Sequence, residues 1–309
     1  MTKISRMLNN SLAVKKTFFQ WKSFNEIEDS LRKDLEKEIE KDPDLVQFQD
    51  DFIRETIKSE IIPNSKFPVH PECRCAFLKK FVKLLEELKV EAHEDIYMSC
   101  NLNEQEISKP SDYFKSYFSS NSSYLCSLIE TKEFVVQGTT GLKTWPAAEF
   151  LINFLLNNKY VQRDYTILEL GSGIGLAGIS LLKLKKARKI YFTDHHQSVL
   201  DTLKINLTKS EISEKNYVVQ KLDWEHPEDI PKSDLVIGSD IVFDPGLITS
   251  LVNTIVLAMK TSKMTIIANV ERNMDTRYAF EESLIQHKLD FTVEKSAGEM
   301  LLYIIIWKK

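Results

Sequence analysis

Three short stretches of this 309-residue sequence hold residues whose types and spacing could do chemistry. The first is SDIVFDP, Ser239–Pro245, which ends an aliphatic run in Asp240, with Phe243 three positions on and Asp244 after it. A buried strand that stops at a carboxylate implies something polar for that carboxylate to face. The second is ILELGSGIGLAG, where a strand, a tight glycine turn and a helix start follow one another, as they do beside bound nucleotides. Gly171, Gly173 and Gly175 can take dihedrals that a side chain forbids. The third is a pair of strand-ending acids, Asp194 and Asp223, the latter followed by Trp224.

The glycine stretch is not the dinucleotide fingerprint. G-x-G-x-x-G requires glycine at position 176, where this chain has Leu176, and the register from Gly173 to Gly178 starts two residues late. Glu169 precedes Gly171 by two, giving E-x-G-x-G-x-G, the pattern usual in enzymes of S-adenosylmethionine (AdoMet). AdoMet has no phosphate to seat on a helix N-terminus, and it carries an ammonium that an acid can help hold. Asp194 closes the strand KIYFTD 19 residues after Gly175. A carboxylate there can accept from both ribose hydroxyls, with an ordinary helix N-cap as the alternative. Trp224 stands where an adenine would lie, and either stacks on it or is a plain core or surface aromatic. His195 and His196 lack a further ligand set, and His70, Cys73 and Cys75 lack a second pair, so no metal is expected.

These residues need elements to position them. From about Tyr160 strands alternate with helices: YTILEL, KIYFTD, YVVQKLDW, DLVIGSD and KMTIIANV, then FTVEK and LLYIIIW with only a short loop between them. The alternation predicts a doubly wound, mainly parallel α/β sheet, and the missing last helix predicts one antiparallel strand. The first half reads helical. SFNEIEDSLRKDLEKEIE and its continuation have helical spacing, broken at Asp42-Pro43 and stopped at Pro63-Asn64-Ser65. CAFLKKFVKLLEEL follows His70-Pro71 and places Phe77, Leu78, Phe81, Leu84, Leu85 and Leu88 on one face. A polar loop is expected near 101–123, then a strand beginning in EFVVQ and a turn at GTTG. The expected division is a mainly helical region over 1–122 and a Rossmann-like domain over 123–309.

Composition bounds the function classes. Hydrophobic residues make up 43% of the chain, ample for a packed core, and no apolar run reaches the roughly 18 residues of a membrane span. Four cysteines without a regular framework suggest a reducing compartment. The first 22 residues carry five bases and no acid, a charge shared with mitochondrial presequences; the preferred reading is a basic, aromatic helix of the fold in a cytosolic protein. Net charge is −4, with 13 acids against 6 bases between Glu26 and Glu60. That acidic arm is a solvated helix face or a docking surface for a basic partner, and not the basic stripe of a nucleic-acid binder.

GTTGLKTWPAA, LELGSGIGLAG, YFTDHHQSVL, LDWE and SDIVFDP, in this order and spacing, resemble the seven-strand protein lysine methyltransferases of family 16. The likeness is strong from about residue 123 onward and looser before it. It implies a Rossmann-like seven-stranded AdoMet-dependent sheet with a helical N-terminal region. The implied activity is N-methylation of a protein lysine, with translation elongation factor 2 as the implied partner. The implied enzyme is a cytoplasmic monomer with neither nucleic acid nor membrane as a direct partner. Trp145 would then lie over the cofactor, Gly171, Ser172 and Gly173 would be glycine-loop contacts, Asp194 the ribose acid, Trp224 the adenine neighbour and Ser239 a backbone contact. Asp240 and Phe243 fall on the family's D-x-x-[YF] motif, associated with the methyl-accepting lysine. A methyltransferase acting on another protein or a small molecule, and a non-catalytic module of the same fold, are the alternatives. A nucleic-acid amino-methyltransferase would need prolines where this chain has Ile241 and Val242.

Overall fold

A computed structural model describes residues 14–58, 67–101, 113–121, 123–131, 133, 135, 136, 138–296 and 299–308. They divide into two compact units, 1–129 and 130–309. The Pro63-Asn64-Ser65 breaker, most of the basic start and residues 102–112 lie outside the described residues.

In the N-terminal unit a helical turn over 14–19 leads into α1 (Glu28–Ile39), α2 (Val46–Glu55), α3 (Pro71–Glu87) and α4 (Glu94–Ser99). Pro71 stands at the first position of α3, where its missing N–H deprives the helix of nothing. The predicted apolar face of α3 is buried, and Phe77 packs edge-on against Phe18 and Phe24 at centroid distances of 5.4 and 5.1 Å. The expected polar loop is in part a strand. β1 (Phe114–Phe118) pairs antiparallel with β2 (Tyr124–Ile129), and Ser116 and Ser127 join their hydroxyls across the pair at 2.6 Å. A boundary at 122/123 would cut through this hairpin, whereas the compact unit runs to Ile129.

In the second unit, α5 (Pro146–Asn157) precedes the alternating elements and was not distinguished by the sequence pattern. Of the strand expected in EFVVQ, the described residues form an isolated bridge between Val136 and Thr139. Then come β3 (Thr166–Leu170), α6 (Leu176–Lys183), β4 (Lys189–Asp194), α7 (Gln197–Lys209), β5 (Tyr217–Lys221) and β6 (Leu235–Ser239). After these follow α8 (Ile248–Ala258), β7 (Thr265–Val270), α9 (Met274–Gln286), β8 (Leu289–Ser296) and β9 (Met300–Trp307). The sheet order is β5-β4-β3-β6-β7-β9-β8, and β9 runs antiparallel to β7 and β8, as the missing helix predicted. β3 and β6 are parallel neighbours, and the chain winds outward from them in opposite directions. The C-terminal ends of those two strands are therefore the place where an open α/β sheet leaves a crevice. Both strands are buried along nearly their whole length, which explains runs such as TILEL and LVIGS without polar alternation.

Candidate active site

A cavity of about 490 Å³ occupies that crevice. Gly171, Ser172, Gly173 and Gly175 line it from the β3–α6 turn, Asp194 from the end of β4 and Trp224 from beyond β5. Trp145 lines it from the start of α5, and Ser239, Asp240 and Phe243 from the end of β6. The predicted residues thus converge on one space, with the exception of Glu169.

The glycine turn has left-handed backbone at Gly171, Gly173 and Gly175. A Cβ on Gly171 would stand 2.7 Å from Ile241, and one on Gly173 would stand 3.3 Å from the Gly141 carbonyl. Backbone here can approach a ligand because no side chain intervenes. The turn is also tied to β4. Ser172 N–H donates to the Thr193 carbonyl at 2.8 Å, and its hydroxyl donates to the Glu169 carbonyl while accepting from Thr193 N–H. The Ser172 hydroxyl is thus committed to holding the loop shape.

Asp194 serves the same loop. Its Oδ2 accepts from Gly173 N–H and its Oδ1 from His196 N–H, both at 3.1 Å. Each oxygen keeps a second lone pair for a ligand hydroxyl. Burial pushes this carboxyl above its ordinary range, against the pull of the two backbone donors. His195 turns to Asp223, its Nδ1 lying 3.6 Å from Oδ2.

Glu169 does not reach the cavity. Its side chain goes to the opposite face of β3 from Leu168 and Leu170, under α6 and beside Gly178. A Cβ at Gly178 would lie 2.5 Å from Glu169 Oε2 and 2.2 Å from Phe192. The glycine that gave a false dinucleotide register is therefore a packing glycine beneath a buried acid. Oε2 finds no hydrogen-bond partner, and burial lifts this carboxyl to about 8. Burial therefore favours its protonated form near neutral pH, and it lies outside the cavity.

At the end of β6, Asp240 N–H donates to the Ala268 carbonyl at 2.8 Å, and its backbone then turns left-handed at φ 58°. Left-handed backbone is unusual outside glycine and needs outside support. Asn269 supplies it. Its Oδ1 accepts from Val242 N–H, and its Nδ2 donates to the carbonyls of Val242 and Val270. The turn leaves Phe243 52% exposed at the cavity edge and Asp240 8% exposed.

Asp240 faces an arginine. Nη1 of Arg272 donates to Oδ1 at 2.8 Å and Nη2 to Oδ2 at 2.6 Å, while Val270 N–H reaches Oδ1 at 3.2 Å. The same guanidinium stands 5.2 Å from the centroid of the Trp145 ring. Sequence reasoning passed over both Arg272 and Asn269; Asn269 lies within β7 and Arg272 just beyond its end, and a base there was the only signal. It also passed over the backbone of Thr139–Gly141, read as a turn alone, which lines the cavity.

The cavity suits AdoMet on its own geometry. Its volume is in the range for cofactor sites, a side-chain-free cradle adjoins a carboxylate with spare lone pairs, and Trp224 lies beside Gly171. The residues that would hold the cofactor are Gly171, Gly173, Asp194 and Trp224, with Trp145 and Ser239 on the side of Asp240.

Comparison with known proteins agrees with this architecture. A family model described as lysine methyltransferase matches residues 127–286. The human protein-lysine N-methyltransferase EEF2KMT is 30% identical over 66% of this chain and 65% of its own length. The mouse protein of the same name is 29% identical over 81% and 78%. Protein-lysine N-methyltransferase EFM3 of Chaetomium thermophilum is 28% identical over 77% and 80%. The chain spans about 65% of the length of the three human relatives it matches. On the extent of the family match and the fold that carries it, the chain belongs to the lysine methyltransferase family.

Proposed function

We propose that this chain transfers a methyl group from AdoMet to the ε-amine of a lysine in a substrate protein, and that the substrate is translation elongation factor 2. One observation carries the reading. Asp240 and Phe243 of the D-x-x-F turn open onto the same cavity as the glycine cradle. The choice of elongation factor 2 rests on the sequence resemblance and on the name EEF2KMT shared by several relatives. The reading goes with a cytosolic monomer that has no direct nucleic-acid or membrane partner.

AdoMet supplies an electrophilic methyl on a sulfonium, and the electron pair of the broken C–S bond leaves with sulfur. The chain's residues hold the acceptor in line, which supplies much of the barrier reduction. A lysine with a pKa near 10.4 must first lose a proton, at a cost of about 4.6 kcal/mol at pH 7. A carboxylate by itself would oppose that loss, so Asp240 is a poor strong base. Its Oδ2 takes one donor from Arg272 and keeps a lone pair with which to aim the amine. Phe243 flanks the lysine stem and accommodates the growing methylammonium by cation–π attraction.

The test is incubation of the protein with labelled AdoMet and purified elongation factor 2, and in parallel with a cell lysate. Label on one lysine of the factor, and on one band of its size in the lysate, is expected. Label in RNA, in a small molecule or in a protein of another size overturns the substrate. No label anywhere, despite AdoMet binding, would favour a non-catalytic module.

A further inference from the structure

The two-point contact between Arg272 and Asp240 has a consequence for the charge of the methyl-transfer site. Arg272 comes from the segment after β7, and its nearest charged neighbours do not compete for it. Glu271 is taken by Arg277 at 2.7 Å and Lys295 at 2.6 Å, and Arg277 also holds Glu281 at 2.7 Å. Across the cavity stand Lys143 before α5, Asp194 at the end of β4 with His195 and His196 after it, Asp223 and Glu225 after β5, and Asp244 after β6. Carboxylates outnumber lysines and arginines among these lining groups, so an uncompensated Asp240 would add to an anionic wall. That wall would hold a lysine as its ammonium, the form that cannot accept a methyl group.

We propose that Arg272 is a positioning residue that neutralises Asp240, so that the acceptor amine meets an ion pair, aimed but not held protonated. The contact over Trp145 fixes the guanidinium in place, and the left-handed turn held by Asn269 fixes the carboxylate. Arg272 is 41% exposed at its side chain against 4% for Asp240, and it does not line the cavity. The cation takes one lone pair of each carboxylate oxygen, Val270 N–H takes the other of Oδ1, and Oδ2 keeps its second lone pair for the acceptor. This inference rests on the methyltransferase reading, but its first test needs no methyl acceptor.

Calorimetry should compare the affinities for AdoMet, whose sulfur is cationic, and S-adenosylhomocysteine, whose sulfur is neutral. In Arg272→Gln the bare carboxylate should raise the preference for AdoMet by about tenfold. In Asp240→Asn the uncompensated guanidinium should lower it several-fold. Arg272→Lys, and the double variant Arg272→Gln with Asp240→Asn, should return to the native ratio. A merely structural role predicts that the double variant behaves no better than the singles. The second readout is the single-turnover rate on elongation factor 2 against pH. Its rise should move about one pH unit to the alkaline side in Arg272→Gln and stay in place in Arg272→Lys. An unchanged cofactor ratio in both single variants overturns the proposal, whether or not elongation factor 2 is the acceptor. So does a lower KM for the acceptor in Arg272→Gln without a pH shift, since Arg272 would then be a plug that lysine displaces. Absence of label on elongation factor 2 with native protein sinks the substrate assignment alone, and the cofactor ratio still decides this one.

Discussion

Both carboxylate oxygens of Asp240 meet the guanidinium of Arg272, at 2.8 and 2.6 Å, although 32 residues separate the two in the chain. The acid that ends β6 is thus one half of an ion pair at the wall of the cavity. Substituting Asp240→Asn keeps the shape and removes the charge. Methyl transfer should fall about 10²-fold, the scale of a misaimed acceptor. AdoMet affinity should fall only several-fold. Rate and affinity measured on the same preparation check the assignment, and native turnover in the variant would refute it.

Phe243 is half exposed at the cavity edge and touches a different part of the chemistry. Phe243→Ala should slow transfer about tenfold, the worth of one cation–π contact together with the lost wall. AdoMet affinity should change little, because Phe243 is not among the residues that would hold the cofactor. Phe243→Tyr should retain transfer, since the ring face is what acts here. A Tyr variant much slower than Phe would show that the hydroxyl disturbs the site.

The sequence disclosed what local periodicity and glycine spacing encode. β3, β4, β6 and β7 are buried runs bounded by polar turns, and their ends carry Asp194 and Asp240 where an α/β sheet binds ligands. What it concealed depends on partners distant in the chain. Asn269 acts on Val242, 27 residues away, and nothing in IIANV announces that an asparagine will hold another loop. Glu169 was misplaced because E-x-G-x-G-x-G does not say which face of β3 the acid takes. The alternation of a strand answers that, since Leu168 and Leu170 share the face opposite to Glu169. The β1–β2 hairpin was hidden by the serines of its turn, and by FKSYF, whose Ser116 is buried in the pairing.

Asn269 offers a stability test of the loop that carries Asp240. It makes three hydrogen bonds to the backbone of Val242 and Val270 and is 4% exposed. Asn269→Ala leaves the Val242 N–H and the carbonyls of Val242 and Val270 without their side-chain partner, at a cost of about 1–3 kcal/mol. Chemical unfolding should show that loss. Transfer should fall as well, because the left-handed Asp240 turn loses its support. Asn269→Asp should recover the bond from Val242 N–H but not those to the carbonyls. A fully active, fully stable Ala variant would show that the turn is self-supporting.

The last prediction concerns Glu169, where pH and stability are linked. Burial lifts its folded pKa to about 8, well above the ordinary value of 4.5 that it regains on unfolding. Between those values the folded chain binds a proton that the unfolded chain releases. Stability contributed by this group is therefore complete below about pH 4.5 and is lost as pH rises toward 8, at about 1.4 kcal/mol per pH unit. Asp194, raised in the same direction by burial, contributes a loss of the same sign as pH rises above its ordinary value. Glu169→Gln has nothing to titrate and nearly the same shape. Urea unfolding at about pH 5.5 and about pH 7.5 should show a steep loss of stability in the native protein and a shallower one in the variant. AdoMet affinity should be nearly unchanged, because the carboxyl lies under α6 and not in the cavity. Equal slopes would mean that Glu169 ionises freely in the fold, and a large loss of AdoMet affinity would return it to the cofactor's ammonium.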